Sequence, residues 1–177
     1  MKVSDVAYKG KVISVVRTYE PERPAAFFEM VRHPGSAAIV AVTEENKVVL
    51  VNQLREAIGK YVLEIPAGKL EPGEEPQTCA YRELEEETGY RARSLEKLCE
   101  FFVTPGYSDE KIRIFCTQDL ERTKSRLEED EILSVVEVDI SEVLRMIDDG
   151  RIEDAKTIAS VLEFVRKKKW SLSSRSQ

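Results

Sequence analysis

The chain has 177 residues, a length that fits about one domain, and it is 42% hydrophobic and 34% charged. This balance excludes an intrinsically disordered chain, and the net charge of -6 argues against a broad contact with nucleic-acid phosphates. Three cysteines without CxxC spacing, no signal-like N-terminus and no apolar run near the ~20 residues of a membrane span predict a cytoplasmic protein with reduced thiols.

The first 35 residues predict a strand arm ahead of the main body. Residues 11–20 are rich in Val and Ile and indicate a strand, which Pro21 and Pro24 interrupt. A second strand is predicted at residues 26–32. We therefore expect an N-terminal strand arm over residues 1–35.

The pattern that follows predicts one mixed α/β domain over residues 36–170, with a polar tail at 171–177. Apolar runs at 36–42 and 47–53 predict a hairpin. The other predicted strands are 61–65, 94–103, 111–118 and 132–138, and the predicted helices are 74–88, 141–149 and 154–169. Ser141 is expected to cap the second helix, and Leu162 and Val165 to face the core from the third. Helices must cover sheet faces, which gives a layered α/β domain.

The predicted first helix carries an acidic stripe. At ~100° per residue, Glu83, Glu86 and Glu87 point to one side, where three like charges repel. A divalent cation removes that repulsion, and ligands that are all oxygen favour Mg²⁺ or Mn²⁺ over Zn²⁺. Gly68 allows the backbone to approach a ligand closely, so the carbonyl of Ala67 is a further candidate metal ligand. From these residues alone, a solvated acidic helix face is the alternative interpretation.

The segment from Gly68 to Tyr90 resembles the Nudix box, G-x5-E-x7-R-E-U-x-E-E-x-G-U, in which U is a bulky apolar residue. Every specified position matches except the last U, where Tyr90 stands in place of an aliphatic residue, a departure that leaves the chemical positions intact. The resemblance implies a Nudix-type α/β/α sandwich with a mixed sheet. It also implies an enzyme that uses Mg²⁺ or Mn²⁺ to hydrolyse a nucleoside diphosphate linked to another group.

The same resemblance assigns roles within the box. It implies that Glu83, Glu86 and Glu87 bind two or three metal ions. Glu74 and Arg82 are expected to hold the loop and the helix together by an internal ion pair. The structural positions of the box are Gly68, Glu74, Arg82 and Gly89.

Features outside the box resemble the ADP-ribose pyrophosphatase branch of the family. They are Pro105 beyond the box and the segments Gln53-Leu-Arg55, Leu63-Glu-Ile-Pro-Ala-Gly68 and Asp154-Ala-Lys-Thr157. The resemblance implies hydrolysis of ADP-ribose to AMP and ribose 5-phosphate. Another nucleoside-diphosphate sugar or dinucleotide (GDP-mannose, ADP-glucose, FAD or NADH) is the first alternative. A module that senses ADP-ribose or NAD-related metabolites without cleaving them is the second.

The predicted substrate-binding residues are Arg32, Arg55, Thr104, Pro105, Gly106 and Glu110. Arg55 is a candidate to clamp the diphosphate or to stack on adenine, because a guanidinium does both. Glu110 is a candidate acceptor for ribose hydroxyls, and residues 104–106 for the wall of the terminal-ribose pocket. Arg32 is expected near the adenine end. The alternative interpretation of Arg55 is an exposed arginine at a strand end, and that of Glu110 is a solvated loop acid. Residues 104–106 could form only a turn.

An acidic run at residues 128–131 is the second acidic cluster. The resemblance favours Glu129 as general base and Glu131 as a further metal contact. Neighbouring carboxylates around metals titrate together, so the two roles could be exchanged. A solvated charged loop is the alternative interpretation.

The strand arm of residues 1–35 lies outside the minimal domain that the box predicts. We expect it to exchange with a second copy, giving a homodimer whose arm helps to build the adenine pocket. The expected ligand is a small nucleoside-diphosphate sugar. Neither nucleic acid nor a membrane is expected as a partner.

Overall fold

The computed structural model describes residues 3–123 and 133–173 of the chain. The strands are β1 (Val3–Lys9), β2 (Ser14–Glu20), β3 (Arg23–Arg32), β4 (Ser36–Ala41), β5 (Lys47–Arg55), β6 (Lys60–Glu64), β7 (Ala67–Lys69), β8 (Tyr90–Ala92), β9 (Glu96–Phe102), β10 (Lys111–Thr117), β11 (Leu120–Arg122) and β12 (Leu133–Asp139). The helices are α1 (Pro76–Thr88), α2 (Ile140–Asp148) and α3 (Ala155–Ser173). The prediction lacked β1 and the three-residue strands β7, β8 and β11.

The two predicted N-terminal strands, β2 and β3, form an antiparallel sheet with the unpredicted β1, in the order β1-β2-β3. Most side chains on this sheet are exposed, among them Val6, Tyr8 and Phe27. The sheet is joined to the main body at the end of β3, where the Val31 N–H donates to the Tyr107 carbonyl at 2.7 Å. The N-terminal sheet therefore leaves apolar side chains in solvent.

Two further sheets form the centre of the main body. One has the order β7-β4-β10-β9 and is mixed, because β4 and β10 run parallel. The other is antiparallel, in the order β12-β5-β6. The predicted hairpin of residues 36–42 and 47–53 forms only at its turn, where Val42 bridges Val48 in antiparallel sense and the Thr43 N–H donates to the Lys47 carbonyl at 2.8 Å. Beyond the turn, β4 and β5 belong to different sheets. Two buried apolar runs around a short turn fit adjacent sheets as well as adjacent strands.

Strand β4 lies between two hydrophobic clusters, and its alternating side chains belong to one or the other. Ala37, Ile39 and Ala41 belong to the cluster that contains Leu84 of α1. The other cluster contains alternate residues of β4 with Val143 of α2 and residues of α3. Helices therefore cover both sides of the sheets, and the predicted α/β/α class is confirmed.

The ends of α1 follow from its sequence. Pro76 stands in the first turn, where its missing N–H costs no hydrogen bond. Gly89 ends the helix in the left-handed conformation, at φ 68°, and its N–H donates to the Glu85 carbonyl. The helix begins two residues later than predicted because Glu74 remains in the preceding turn, where its carboxylate accepts the Glu71 N–H at 2.9 Å. The helix thus starts next to the loop that the box predicts.

Two details of the C-terminal helices correct the prediction. Ser141 does not cap α2, because the helix begins at Ile140 and the cap position is Asp139. Leu162 does not face the core, since 46% of it is exposed, whereas Phe164 is buried and Val165 packs beside the core. No helix within residues 3–123 and 133–173 is long and apolar enough to cross a membrane.

Candidate functional site

A cleft of about 900 Å³ is lined by two groups of charged residues. The first group is mostly acidic and comes from α1, next to the backbone of β7. The second group comes from the ends of β5 and β6 and the start of α3, and it contains Arg55, Glu64, Asp154 and Lys156. The cleft therefore brings cationic side chains into the same cavity as the acidic stripe.

The glutamates of α1 lie directly against β7. Glu87 is 2% exposed, and its carboxylate accepts the Ala67 N–H at 3.2 Å. Glu83 is also buried, and a Cβ added to Gly68 would overlap its carboxylate. The absence of a side chain at Gly68 thus allows Glu83 to contact the backbone of β7, whereas the sequence predicted close approach to a ligand at this glycine.

Arg82 reduces the repulsion between the acidic side chains. Its Nη1 donates to Glu83 at 2.7 Å and to Glu86 at 3.0 Å. Its Nε and Nη2 donate to the two carboxylate oxygens of Glu74 at 3.0 and 3.1 Å. These hydrogen bonds from Arg82 lower the pKa of Glu74 and raise the pKa of Arg82 itself. The ion pair that the box implied is present and ties α1 to the preceding loop.

The donor set fits a hard divalent cation in its chemistry. Glu83, Glu86 and Glu87 line the same cleft as Ala67, and carboxylate and carbonyl oxygens are ligands that suit Mg²⁺ or Mn²⁺. Within residues 3–123 and 133–173, no three Asp, Glu, His or Cys side chains converge on one metal position. In the present conformers, Arg82 holds Glu83 and Glu86. Metal binding at these residues stays a prediction.

Glu64 stands at the centre of the second group and is almost fully buried. Arg55 holds its two oxygens through Nε at 2.7 Å and Nη2 at 2.6 Å, and the Lys156 ammonium donates to the same carboxylate. Burial raises the pKa of Glu64, but the hydrogen bonds and charges of Arg55 and Lys156 outweigh it and the net shift is downward. Sequence reasoning chose Arg55 and gave Glu64 and Lys156 no role. A Glu between two apolar strand residues was the available signal.

Asp154 joins the start of α3 to this group. Its carboxylate accepts from the Thr157 N–H at 2.9 Å, the Thr157 hydroxyl at 2.6 Å and the Lys156 ammonium at 3.0 Å. The Thr157 hydroxyl oxygen in turn accepts the Ile65 N–H at 2.9 Å. This chain of bonds fixes the first turn of α3 against the end of β6.

The predicted residue Glu110 and the unassigned His33 line the cleft apart from these two groups. Glu110 lines the cleft and accepts a hydrogen bond from the Ser36 hydroxyl at 3.0 Å. His33, to which no role was assigned, also lines it. The Glu110 carboxylate is therefore in a position to meet a ligand.

The other predicted residues lie outside the cleft lining or outside the described chain. Arg32 donates to the Asp109 carboxylate at 2.7 Å, and Thr104–Gly106 form part of a turn beside Asp109. Neither contributes to the lining within residues 3–123 and 133–173. Glu129 and Glu131 lie outside the described residues, so their roles stay predictions.

Comparison with known proteins identifies the family of the chain. The model of the NUDIX domain matches residues 32–161. This chain belongs to the NUDIX family. The match includes α1 and both charged groups of the cleft, so the family predicted from the box is confirmed.

Relatives of this NUDIX chain differ in their names. It is 42% identical over 158 residues to the "ADP-ribose pyrophosphatase" of Bacillus subtilis (strain 168), covering 87% of this chain and 85% of that protein. It is 45% identical over 135 residues to the "methanol dehydrogenase activator" of Bacillus methanolicus, covering 75% and 73%. It is also 37% identical over 138 residues to a "GDP-mannose pyrophosphatase" of Yersinia enterocolitica (serotype O:8 / biotype 1B), covering 72% and 71%.

Solved structures support the NUDIX fold over nearly the whole chain. The crystal structure of an "ADP compounds hydrolase" matches with a TM-score of 0.76. The match covers 96% of this chain and 93% of that one, at 20% sequence identity. At this identity the similarity shows the fold, including the N-terminal sheet, and no more.

Proposed function

We propose that this chain hydrolyses the diphosphate bond of ADP-ribose, giving AMP and ribose 5-phosphate, in a reaction that needs Mg²⁺ or Mn²⁺. The observation that carries the proposal is the complete Nudix box set in a cleft, in a chain similar over most of its length to an ADP-ribose pyrophosphatase. The box supports the reaction class, and the similarity supports the substrate.

The residues of the cleft divide the work of this reaction. Glu83, Glu86 and Glu87, with the Ala67 carbonyl, are the groups that would hold two or three metal ions. When bound, such ions offset the charge of the diphosphate and lower the pKa of a coordinated water. Arg55 lines the same cleft, and we assign it the role of donating to diphosphate oxygens.

The hydrolytic step needs a proton acceptor. A water oxygen forms a bond to one phosphorus, the bond from that phosphorus to the bridging oxygen breaks, and the water gives up a proton. We propose Glu129 as the acceptor and Glu131 as a further metal contact, with exchange of the two roles as the alternative. The support for this assignment comes from the sequence.

A second candidate substrate is another nucleoside-diphosphate sugar. The similarity to a GDP-mannose pyrophosphatase favours this alternative, because the box and Arg55 would serve either diphosphate. A sensor that binds without cleaving is less well supported, since Glu83, Glu86 and Glu87 are all present.

A phosphatase-coupled assay tests the proposal. ADP-ribose carries no phosphomonoester, whereas both products do, so alkaline phosphatase releases phosphate only after cleavage. Wild type is assayed with Mg²⁺ over ADP-ribose, GDP-mannose, ADP-glucose, FAD and NADH, beside Glu87→Gln. Glu85→Gln is the matched control, because Glu85 lies on the same helix and pairs with Arg91.

Four outcomes of this assay, taken together with a binding titration of ADP-ribose, are decisive. Preference of the wild type for ADP-ribose supports the proposal. Preference for GDP-mannose supports the alternative, and binding of ADP-ribose without turnover supports the sensor. Full activity in Glu87→Gln would remove the role assigned to that carboxylate.

We further propose that residues 1–35 pack against a second copy of the chain to form a homodimer. Val6, Tyr8 and Phe27 of the N-terminal sheet are exposed, and apolar surface of this kind is typical of interfaces. Sedimentation at assay concentrations tests this, and a monomer would contradict it. The free cysteines Cys79, Cys99 and Cys116 fit the reducing conditions of the cytoplasm, where we propose the protein acts.

A further inference from the structure

Glu64 is paired with two cations, although one would suffice to satisfy its buried carboxylate. One arginine in a two-bond contact already satisfies a buried carboxylate. Here the Lys156 ammonium donates to the same carboxylate, and only 13% of the Lys156 side chain is exposed. Two cations are thus held next to each other by one buried anion.

Both cations keep hydrogen-bond donors available to a ligand. Arg55 uses Nε and Nη2 on Glu64, and within residues 3–123 and 133–173 its Nη1 has no protein acceptor. Lys156 donates to Glu64 and Asp154, which leaves one of its three N–H groups. Both side chains line the cleft, and 40% of the Arg55 side chain is exposed. Their remaining donors are therefore accessible from the cavity.

The geometry of the Arg55 contact gives Glu64 a specific effect. Two parallel hydrogen bonds fix the plane of the guanidinium, and this also fixes the direction of the Nη1 donors. A donor that is fixed before the ligand arrives loses less conformational entropy on binding. A buried ion pair is by itself weak evidence for stability. Its position in the cleft therefore indicates a role in ligand binding.

We propose that Glu64 is a positioning residue that holds Arg55 and Lys156 as a paired anion site for the two phosphates of the substrate. This inference rests on the proposed function, because it takes the diphosphate as the anion. Asp154 positions the lysine from the other side through its own hydrogen bond to the ammonium. Lys156 is accordingly a further substrate-binding residue of the cleft.

The test measures binding without turnover. Titration calorimetry in EDTA gives the affinity of wild type and Glu64→Gln for ADP-ribose, inorganic pyrophosphate and adenosine. We expect the variant to bind the two anionic ligands about tenfold more weakly, a ratio that corresponds to about 1.4 kcal/mol. Adenosine carries no phosphate, so its affinity is expected to stay unchanged.

A matched control exists on the outer part of α3. The Glu163 carboxylate also accepts two hydrogen bonds from one arginine, from Nε and Nη2 of Arg166, each at 2.7 Å. It lies beside the Lys167 ammonium as well. It is not part of the cleft lining. Glu163→Gln removes the same kind of ion pair and is expected to leave all three affinities unchanged.

A double-mutant cycle separates positioning from a general loss of structure. If Glu64 acts through the two cations, Glu64→Gln has little further effect on pyrophosphate affinity in a background carrying Arg55→Met and Lys156→Met. An equal loss in both backgrounds would overturn the proposal, as would an equal loss for adenosine or no pyrophosphate binding by wild type. If Glu64→Gln does not fold, Lys156→Met is titrated alone and must weaken pyrophosphate binding but not adenosine binding.

The outcome is distinguishable from that of the proposed function. Failure of ADP-ribose turnover with a pyrophosphate affinity that depends on Glu64 defeats the proposed reaction and keeps the anion site. Turnover of ADP-ribose with a pyrophosphate affinity that does not depend on Glu64 keeps the reaction and defeats the positioning role.

Discussion

Replacing Gly68 by alanine tests how closely the acidic helix must approach the backbone. The added Cβ would overlap the Glu83 carboxylate, so this side chain must move. Gly68 has no positive φ, and an alanine can adopt its backbone conformation. The expected effect is therefore a displacement of Glu83 and of its 2.7 Å hydrogen bond with Arg82.

The size of the effect of Gly68→Ala follows from the crowding. Overpacking of a filled site costs about 1–3 kcal/mol. A chain of this length loses about 2–4 °C in Tm for each kcal/mol, so we expect Tm to fall by about 2–12 °C. If Glu83 binds metal, its displacement should also raise the Mg²⁺ concentration for half-maximal activity by about 10–100-fold.

Two measurements check this expectation. Calorimetric melting gives the Tm change, and a Mg²⁺ titration of ADP-ribose turnover gives the metal requirement. Gly106→Ala is the control for stability, because a Cβ there meets nothing within 4 Å. An unchanged Tm together with an unchanged Mg²⁺ requirement in Gly68→Ala would refute the contact on which the reasoning depends.

Three further predictions concern single side chains. Glu87→Gln should lower kcat/KM for ADP-ribose about 100-fold while the far-ultraviolet circular dichroism spectrum is retained, and a loss of helix signal would point to misfolding instead. The pKa of Glu64 lies below its ordinary value of 4.5, because Arg55 and Lys156 outweigh the effect of burial. The ion pairs of Glu64 therefore stabilise the fold above about pH 4.5, and this stabilisation is lost as pH falls through the pKa of Glu64 in the folded protein. The Tm difference between wild type and Glu64→Gln should therefore shrink between pH 7 and pH 3, and a constant difference would contradict this. Burial raises the pKa of Cys79 to about 12, so brief iodoacetamide treatment at pH 8 should leave it unlabelled by mass spectrometry in the folded protein, and rapid labelling would contradict its burial.

Local features of the sequence predicted the part of the site that α1 carries. The spacing of Glu83, Glu86 and Glu87 determines a shared helix face, and Gly89 determines where that face ends. Gly68 was predicted to let the backbone approach a ligand, and its contact with Glu83 is an additional finding of the structure. The predictions of the helix face and of its end succeeded because both depend on residues within a few turns of one helix.

Pairings between distant segments could not be predicted in the same way. The run at Ser36–Ala41 is apolar on both faces, so its pattern does not tell which strands lie beside it. Strand β7 has three residues and forms because β4 offers it a partner edge. Such strands have no periodicity of their own and depend on the assembled sheet.

The contacts of Glu64 in the cleft could not be predicted from the sequence either, because they too join distant segments. Lys156 and Glu64 are 92 residues apart, and nothing local links an acid on a short strand to a lysine at the start of a helix. Arg55 was chosen for its chemistry, which a lone arginine at a strand end shares with many exposed residues. Its buried partner distinguishes it, and that partner becomes visible only in the folded chain.

Both charged groups of the cleft are built on carboxylate–cation ion pairs, but in the first one cation holds several carboxylates and in the second one carboxylate holds two cations. At Arg82, one cation holds Glu74, Glu83 and Glu86, and the proposed function assigns Glu83 and Glu86 to metal binding. At Glu64, one anion holds Arg55 and Lys156, so that the cleft presents N–H donors suited to phosphate. A nucleoside diphosphate bound with metal needs both kinds of surface, because its oxygens coordinate the ion on one side and accept hydrogen bonds on the other. Under the proposed anion site, a chain with a net charge of -6 binds an anion because the local arrangement of charges and not their total determines the field in the cleft.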